Sequence, residues 1–392
     1  MWFFVFIFFS AQAWGSDWVR VKLWSEDLMA FSVEGSIHRL QGMESVLKTV
    51  ALPQKQTLSL HYEKTGQQGR WVVEGFKNHL LIFNEKYLAI EGPDLRINHK
   101  KVPEKIILAF EKTSVQVIGV LPLEKYVMGV LAHEMPLQWP LETLKAQAIA
   151  ARSYTVAVMN ERLKKNYHLE SSVMDQVYGF LGDEELSSKY DKVTEAVRLT
   201  KGQILMSTQK TVLKAYYHAD CGGETASAKE AWTTREELVS VTDASCPQNP
   251  KARWNLSLSD SEIYDRLKKW APLGAQRVTE IKAIGVPGRM RVAQVEVAWD
   301  QGDSRKIEAA AFREAMGFFD FKSTQFKVLT KNNQWLFEGR GFGHGVGLCQ
   351  WGSRYLGRQG WDFEKILQHY YPKAEIKILE GTMVGLRNQT PL

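Results

Sequence analysis

Long hydrophobic runs are missing from this chain once its first thirteen residues are passed, which excludes a helical membrane span downstream. The one continuous apolar run is Met1–Ala13, MWFFVFIFFSAQA, and it is too short to cross a bilayer as a helix. No Lys or Arg precedes the run, and no cysteine follows it, which argues against a lipoprotein anchor. Ending in Ala11-Gln12-Ala13, it reads as a short secretory signal (residues 1–13) cut after Ala13. The mature chain is then expected to start near Trp14 and to be exported, to the periplasm, the cell envelope or the medium. Nucleic-acid motifs are absent and the basic residues are dispersed, so no nucleic acid is expected as a partner. The formal net charge of +6 fits solubility, and it also suits an anionic polymer of the cell envelope.

Cysteine is scarce as well: Cys221, Cys246 and Cys349 are the three in 392 residues. An exported chain meets an oxidising compartment, so Cys221 with Cys246 is expected to form a disulfide. The competing readings are a zinc site using His218, Cys221 and Cys246, and two free buried thiols. Spacing alone does not separate the three.

What is present organises around Leu121–Tyr154, LPLEKYVMGVLAHEMPLQWPLETLKAQAIAARSY. Pro122 suits the first turn of a helix. Leu123, Val127, Val130, Leu131 and Glu134 recur at spacings of three and four, which puts them on one helical face. Pro136 ends this helix near Glu134, and Pro140 opens a second, from Leu141 to about Leu163. Glu134 is thus a carboxyl group on an apolar face at a helix C-terminus. Desolvation and the helix dipole both favour its protonated form, which is what a general acid needs. An exposed or ion-paired glutamate at a frayed end is the alternative on periodicity alone.

The length suggests two domains, or one with insertions. Residues 14–113 read as strands, among them Trp18–Trp24, Leu58–Tyr62, Trp71–Gly75, Leu80–Phe83 and Ile106–Phe110. They carry no catalytic constellation. Residues 114–380 hold the helices and motifs, with a variable insertion at about 250–335. Helices are expected at Ser187–Thr200, Asp260–Trp270, Ala309–Met316 and from Asp362 through His369, and a strand at Val292–Trp299. Glycine occupies every second position from Gly339 to Gly347. In an extended strand this gives one face without side chains, open to close approach by backbone or ligand, with His344 on the other face.

These stretches resemble the SpoIID/LytB family, the stage II sporulation protein D type of lytic transglycosylase. The matching residues are Leu123–Val127, Gly129-Val130, Glu134-Met135-Pro136, Leu144–Ala148, Ala150–Tyr154 and Gln176–Gly179. Gly222-Gly223 with Thr225 and Trp232, Gly341–Leu348, Gln350-Trp351-Gly352 and His369–Pro372 complete the series in family order. The resemblance implies an α+β fold, a SpoIID-like core with a groove preceded by a small β-rich domain. It also implies cleavage of MurNAc–GlcNAc β-1,4 bonds in peptidoglycan glycan strands, with 1,6-anhydro ends. Glu134 would be the catalyst. Lys145, Gln147, Arg152, Tyr154, His344, Gln350 and Trp351 would bind substrate. Some relatives are enhancers of cell-wall amidases, so a non-catalytic binder with an amidase partner is the alternative. A zinc hydrolase on His218, Cys221 and Cys246 is a third. In some relatives cysteines just before Gln-Val-Tyr hold zinc, but His168–Asp175 contains none, so neither a metal nor another cofactor is expected.

Overall fold

The computed structural model describes residues 18–379, apart from 27–29, 37–38, 43–48, 52–54, 66–67, 77–78, 85, 233–237, 245, 247–248, 250–251, 286 and 332–333. The signal segment and the start near Trp14 lie outside the described residues. The fold is α+β, strand-rich toward the N-terminus.

The chain divides into two compact units. The first takes Met1–Leu137, Thr155–Gly202 and Leu379–Leu392; the second takes Gln138–Tyr154 and Gln203–Ile378.

The first unit holds two sheets. A seven-stranded sheet runs Leu169–Glu170, Trp18–Glu26, Ser114–Pro122, Lys105–Glu111, Tyr87–Glu91, Arg39–Gly42, Thr49–Ala51 in spatial order. A six-stranded sheet includes Ala30–Ser36, Lys55–Thr65, Gln68–Phe76 and His79–Phe83. Alternation decides which side chains go inward: Val19 and Val21, Leu58 and Leu60, Trp71 and Val73 are all fully buried. The last two long strands, Lys105–Glu111 and Ser114–Pro122, form one antiparallel hairpin, so the sheet runs without a break through residue 113. Ser114–Pro122 then leads directly into helix α1, Leu123–Glu134.

Helix α2, Leu141–Glu161, begins in the second unit and ends in the first. Beyond it, the expected single helix at Ser187–Thr200 is two: Asp183–Ser188 and Asp191–Leu199. The break has a local cause. The hydroxyls of Ser187 and Ser188 both turn back onto the Glu184 carbonyl, and Tyr190 leaves helical backbone at φ −116° and ψ 27°.

In the second unit, Arg253–Ser259, Gln334–Arg340 and Gln325–Lys331 form one antiparallel sheet; Val278–Gly285, Val292–Trp299 and Ser304–Glu308 form another. Helices Asp260–Leu267 and Ala309–Met316 share a core with them, in which Phe312, Phe321, Phe326 and Phe337 pack together. A short parallel pair, Tyr217–His218 with Leu348–Cys349, brings the glycine turn to the start of helix Gln350–Arg358. Asp362 caps the next helix, Phe363–Tyr370, by accepting the Lys365 N–H at 2.8 Å. Among the described residues no helix is long and apolar enough to cross a membrane.

The glycine-rich stretch departs from expectation. The strand ends at Arg340, and Gly341, Gly343, Gly345 and Gly347 all take positive φ, from 71° to 112°. The alternation marks a repeated left-handed backbone, not one bare face of a strand. Close approach does hold: a Cβ at Gly341 would lie 2.8 Å from the Asp220 carbonyl oxygen, and one at Gly347 would fall on that of Tyr216.

Candidate active site

Glu134 closes α1. The helix stops there because Pro136 pushes Met135 into extended backbone, φ −133° and ψ 141°. Leu123, Val127, Val130 and Leu131 are buried, and Glu134 on the same stripe is half-buried. Its Oε1 accepts the backbone N–H of Val177 at 2.8 Å. The Val177 segment is itself fixed. Gln176 Oε1 accepts the hydroxyls of Tyr126, 3.2 Å, and Thr155, 2.9 Å. The Tyr178 ring stacks on Tyr126 with centroids 5.0 Å apart, and burial pushes the Tyr178 phenol up. Gly129 makes this approach feasible, since a Cβ there would sit 2.5 Å from the Tyr178 ring. The His133 ring donates from Nδ1 to the Gly129 carbonyl at 2.8 Å and lies where a Gly179 side chain would be. Thus Gln176–Gly179 works as a clamp on the Glu134 carboxyl. Sequence reasoning noted these residues as a motif without giving them a role. The two glycines were the available signal.

The second unit carries the other expected site residues. Lys145 is not a free donor: its ammonium binds Glu142 at 2.7 Å and lies 5.3 Å from the centroid of the Phe363 ring. Arg152 is fully buried, with Nη1 on the Gln203 carbonyl at 3.0 Å. Seven-residue spacing gives a shared face with Lys145 without saying what covers it. Gln147 is also fully buried, and both of its amide atoms lack a hydrogen-bond partner among the described residues. Tyr154 is buried, edge-on to Tyr216 at 5.4 Å.

His344 is half-buried within an aromatic group: Trp232 at 5.0 Å, His218 at 5.6 Å and Tyr216 at 5.9 Å between ring centroids. Its Nδ1 accepts the Val346 N–H at 3.0 Å. Burial, then the neighbouring His218, Arg313 and Arg291, hold its pKa well below the usual value. His218 is driven down to about 3 by burial first and Arg291 second. Both rings are therefore neutral near pH 7. Gln350 is buried with Nε2 unpartnered. Trp351 is half-buried, edge-on to Trp139 at 5.5 Å, with the Arg354 guanidinium 4.7 Å from its ring centroid.

The cysteines also correct the sequence reading. Cys221 and Cys246 are not linked; all three thiols are free and buried. The neighbour of Cys246 that sequence reasoning missed is Cys349, with Sγ atoms 3.5 Å apart. The proposed third partner, His218, turns away: its Nδ1 donates to the Val346 carbonyl at 3.1 Å. Asp243 takes its place, 3.4 Å from Cys221 Sγ. The Cys221 and Cys349 thiols hydrogen-bond to Cys246 and hold it far below the usual thiol range, while burial pushes those two up. Asp220 is raised to about 7, by burial first and Cys246 second.

Known proteins place the chain. Residues 111–206 match the family described as Stage II sporulation protein, and residues 186–347 match a Domain of unknown function (DUF8618). The chain is 31% identical to Stage II sporulation protein D of Bacillus amyloliquefaciens over 276 residues, 68% of this chain and 77% of that one. An uncharacterized protein of Brachyspira hyodysenteriae is 31% identical over 265 residues, 66% of this chain and 68% of its own. An amidase enhancer of Bacillus subtilis is 25% identical over 291 residues, 62% of this chain and 39% of the enhancer. The chain belongs to the SpoIID/LytB family. Glu134 and its Gln176–Gly179 clamp both fall inside the matched residues 111–206.

Proposed function

We propose that this protein is an exported lytic transglycosylase that cuts the MurNAc–GlcNAc β-1,4 bonds of peptidoglycan glycan strands during cell-wall remodelling. The observation that carries the reading is the Glu134 carboxyl, half-buried at the end of an apolar helix and oriented by the Val177 N–H. One carboxyl group suffices for this chemistry. Protonated Glu134 gives its proton to the glycosidic oxygen as the C1–O bond breaks. The resulting carboxylate takes the proton of the muramic acid C6 hydroxyl as O6 bonds to C1. The product is a 1,6-anhydro sugar, and Glu134 is protonated again. No water is consumed, so the second carboxylate of a hydrolase is not required.

His344 with Trp232 and Tyr216, and Trp351 with Trp139, are apolar ring surfaces of the kind that stack on sugar faces. Gln147 and Gln350 are buried, so their unpartnered amide atoms, both of Gln147 and Nε2 of Gln350, could meet acetamido or hydroxyl groups of the glycan only if the site opens on binding. Tyr154 supports Tyr216 from behind.

A second reading rests on the relative named amidase enhancer: a glycan-binding partner of a cell-wall amidase, with no turnover of its own. Mass spectrometry of purified glycan strands after incubation with the protein separates the two. Anhydromuramyl ends support the transglycosylase, reducing ends mean hydrolysis, and intact strands that still bind the protein favour the enhancer.

A further inference from the structure

We infer that Cys221, Cys246, Cys349 and Asp243 form a structural zinc site. The four candidate ligand atoms, three Sγ and one carboxylate oxygen, lie within 4.8 Å of one another, and all four residues are buried. Tetrahedral zinc with Zn–S near 2.3 Å sets its sulfurs about 3.8 Å apart, and sulfur to carboxylate oxygen slightly less. Cys246 Sγ to Cys349 Sγ is 3.5 Å, and Cys221 Sγ to Asp243 Oδ2 is 3.4 Å. Such spacing suits one ion. It is too tight for a cubane iron–sulfur cluster, whose ligands sit on separate irons.

The surroundings are those of metal-bound thiolates. Backbone N–H groups point at sulfur: Cys221 N to Cys349 Sγ at 3.3 Å, Gly223 N to Cys221 Sγ at 3.4 Å, and Gly352 N to Cys349 Sγ at 3.4 Å. The carboxylate is oriented by outer partners, as metal ligands characteristically are. Tyr370 donates its hydroxyl to Asp243 Oδ2 at 2.8 Å, and the Cys246 N–H reaches Oδ1 at 3.2 Å. Gly352 leaves room for this arrangement, because a Cβ there would overlap both the Asp243 carboxylate and the Tyr370 hydroxyl. Arg291 and Gln325 each donate to the Cys221 carbonyl at 2.9 Å, fixing the first ligand's backbone.

Four protein ligands close a tetrahedral ion and leave no position for water or substrate, which makes the site structural and not hydrolytic. The ligands come from three places: the turn at Cys221, the turn at Asp243–Cys246, and Cys349 where helix Gln350–Arg358 begins. On binding, Zn²⁺ replaces the remaining thiol protons, which leave to solvent. No oxidation occurs. The bound ion also keeps Cys246 and Cys349 from pairing as a disulfide in an oxidising compartment.

Metal content of the full-length wild-type protein, purified without chelator, is the test. The site predicts about one zinc per chain, and a Co²⁺-substituted form with thiolate-to-metal charge-transfer bands and tetrahedral d–d bands. Cys246→Ser and Cys349→Ser should each lose that stoichiometry. Tyr370→Phe keeps all ligands and should bind about 10- to 100-fold more weakly. Wild-type protein that is folded and metal-free overturns the proposal, whether its thiols titrate as three free groups or peptide mapping finds Cys246 bonded to Cys349. Full zinc retention in Cys349→Ser also overturns it.

Discussion

Glu134 and the cysteine centre are placed by opposite means. Glu134 gets its position from one helix, whose period and flanking prolines are local, and from a clamp 43 residues further on. The thiols converge across long separations, 128 residues from Cys221 to Cys349 and 103 from Cys246 to Cys349. The first arrangement keeps a half-buried carboxyl group on a scaffold that stands without it. In the second, turns, glycines and buried polar groups are all held by one another. A change near Glu134 should therefore alter chemistry before stability, and a change near the cysteines should alter stability first.

The largest stability effect is expected at Gly347. Its φ is +71°, and an added Cβ would land on the Tyr216 carbonyl oxygen. Gly347→Ala should lose about 3 kcal/mol, from left-handed strain and forced displacement of packed backbone, as measured by urea unfolding. A loss no larger than that of an ordinary surface substitution would break the comparison.

Gly129→Ala should do the reverse. The new methyl presses on the Tyr178 ring at 2.5 Å and shifts the clamp carrying the Val177 N–H. Stability should fall by about 1–2 kcal/mol, while anhydro-product release falls about 10²-fold through misplacement of the carboxyl. Equal fractional effects on unfolding and turnover would show the clamp to be mere packing.

His218, which packs beside His344 at 5.6 Å, contributes one pH-dependent share of stability. His218 binds a proton near pH 6.5 when unfolded and only at about 3 when folded. Between these values the unfolded chain holds more protons, so stability is full above about pH 6.5 and declines as pH falls toward 3. His344 and His168, also lowered, add to that slope and Asp220, raised to about 7, opposes it, so His218→Gln should reduce the loss of melting temperature between pH 6.5 and 3 without abolishing it.

Lys145→Ala carries the smallest expected effect. Its pair with Glu142 is three residues away on one helix, so less than about 1 kcal/mol is at stake. A large rise in KM without loss of stability would support the role in substrate binding that the sequence suggested.

The sequence made the local parts legible. Pro122, Pro136 and Pro140 bracket α1 and α2 as expected, and Ala309–Met316 and Val292–Trp299 fall on their expected residues. The Glu134 stripe follows from spacing of three and four, and the Asp362 cap from an aspartate at a helix start. What could not be read is non-local or depends on backbone sign. Periodicity puts Arg152 on a face but cannot show that the Gln203 carbonyl meets it. Alternating glycines fit a bare strand face as well as a run of positive φ. Cys246 sits 25 residues from Cys221 and 103 from Cys349, yet the distant thiol is the one its sulfur approaches at 3.5 Å. The expectation of export points to a disulfide between Cys221 and Cys246, and only the fold brings Cys349 and Asp243 to them.

The central claim, that Glu134 is the proton donor and acceptor, is tested most directly by Glu134→Gln. The amide keeps the shape and can still accept the Val177 N–H through its carbonyl oxygen, but it cannot give and recover a proton. Release of anhydromuramyl products from glycan strands should drop by at least about 10²- to 10⁴-fold, the usual share of general acid–base catalysis, while strand binding and the melting temperature stay near wild type. Wild-type product release from Glu134→Gln would contradict the account.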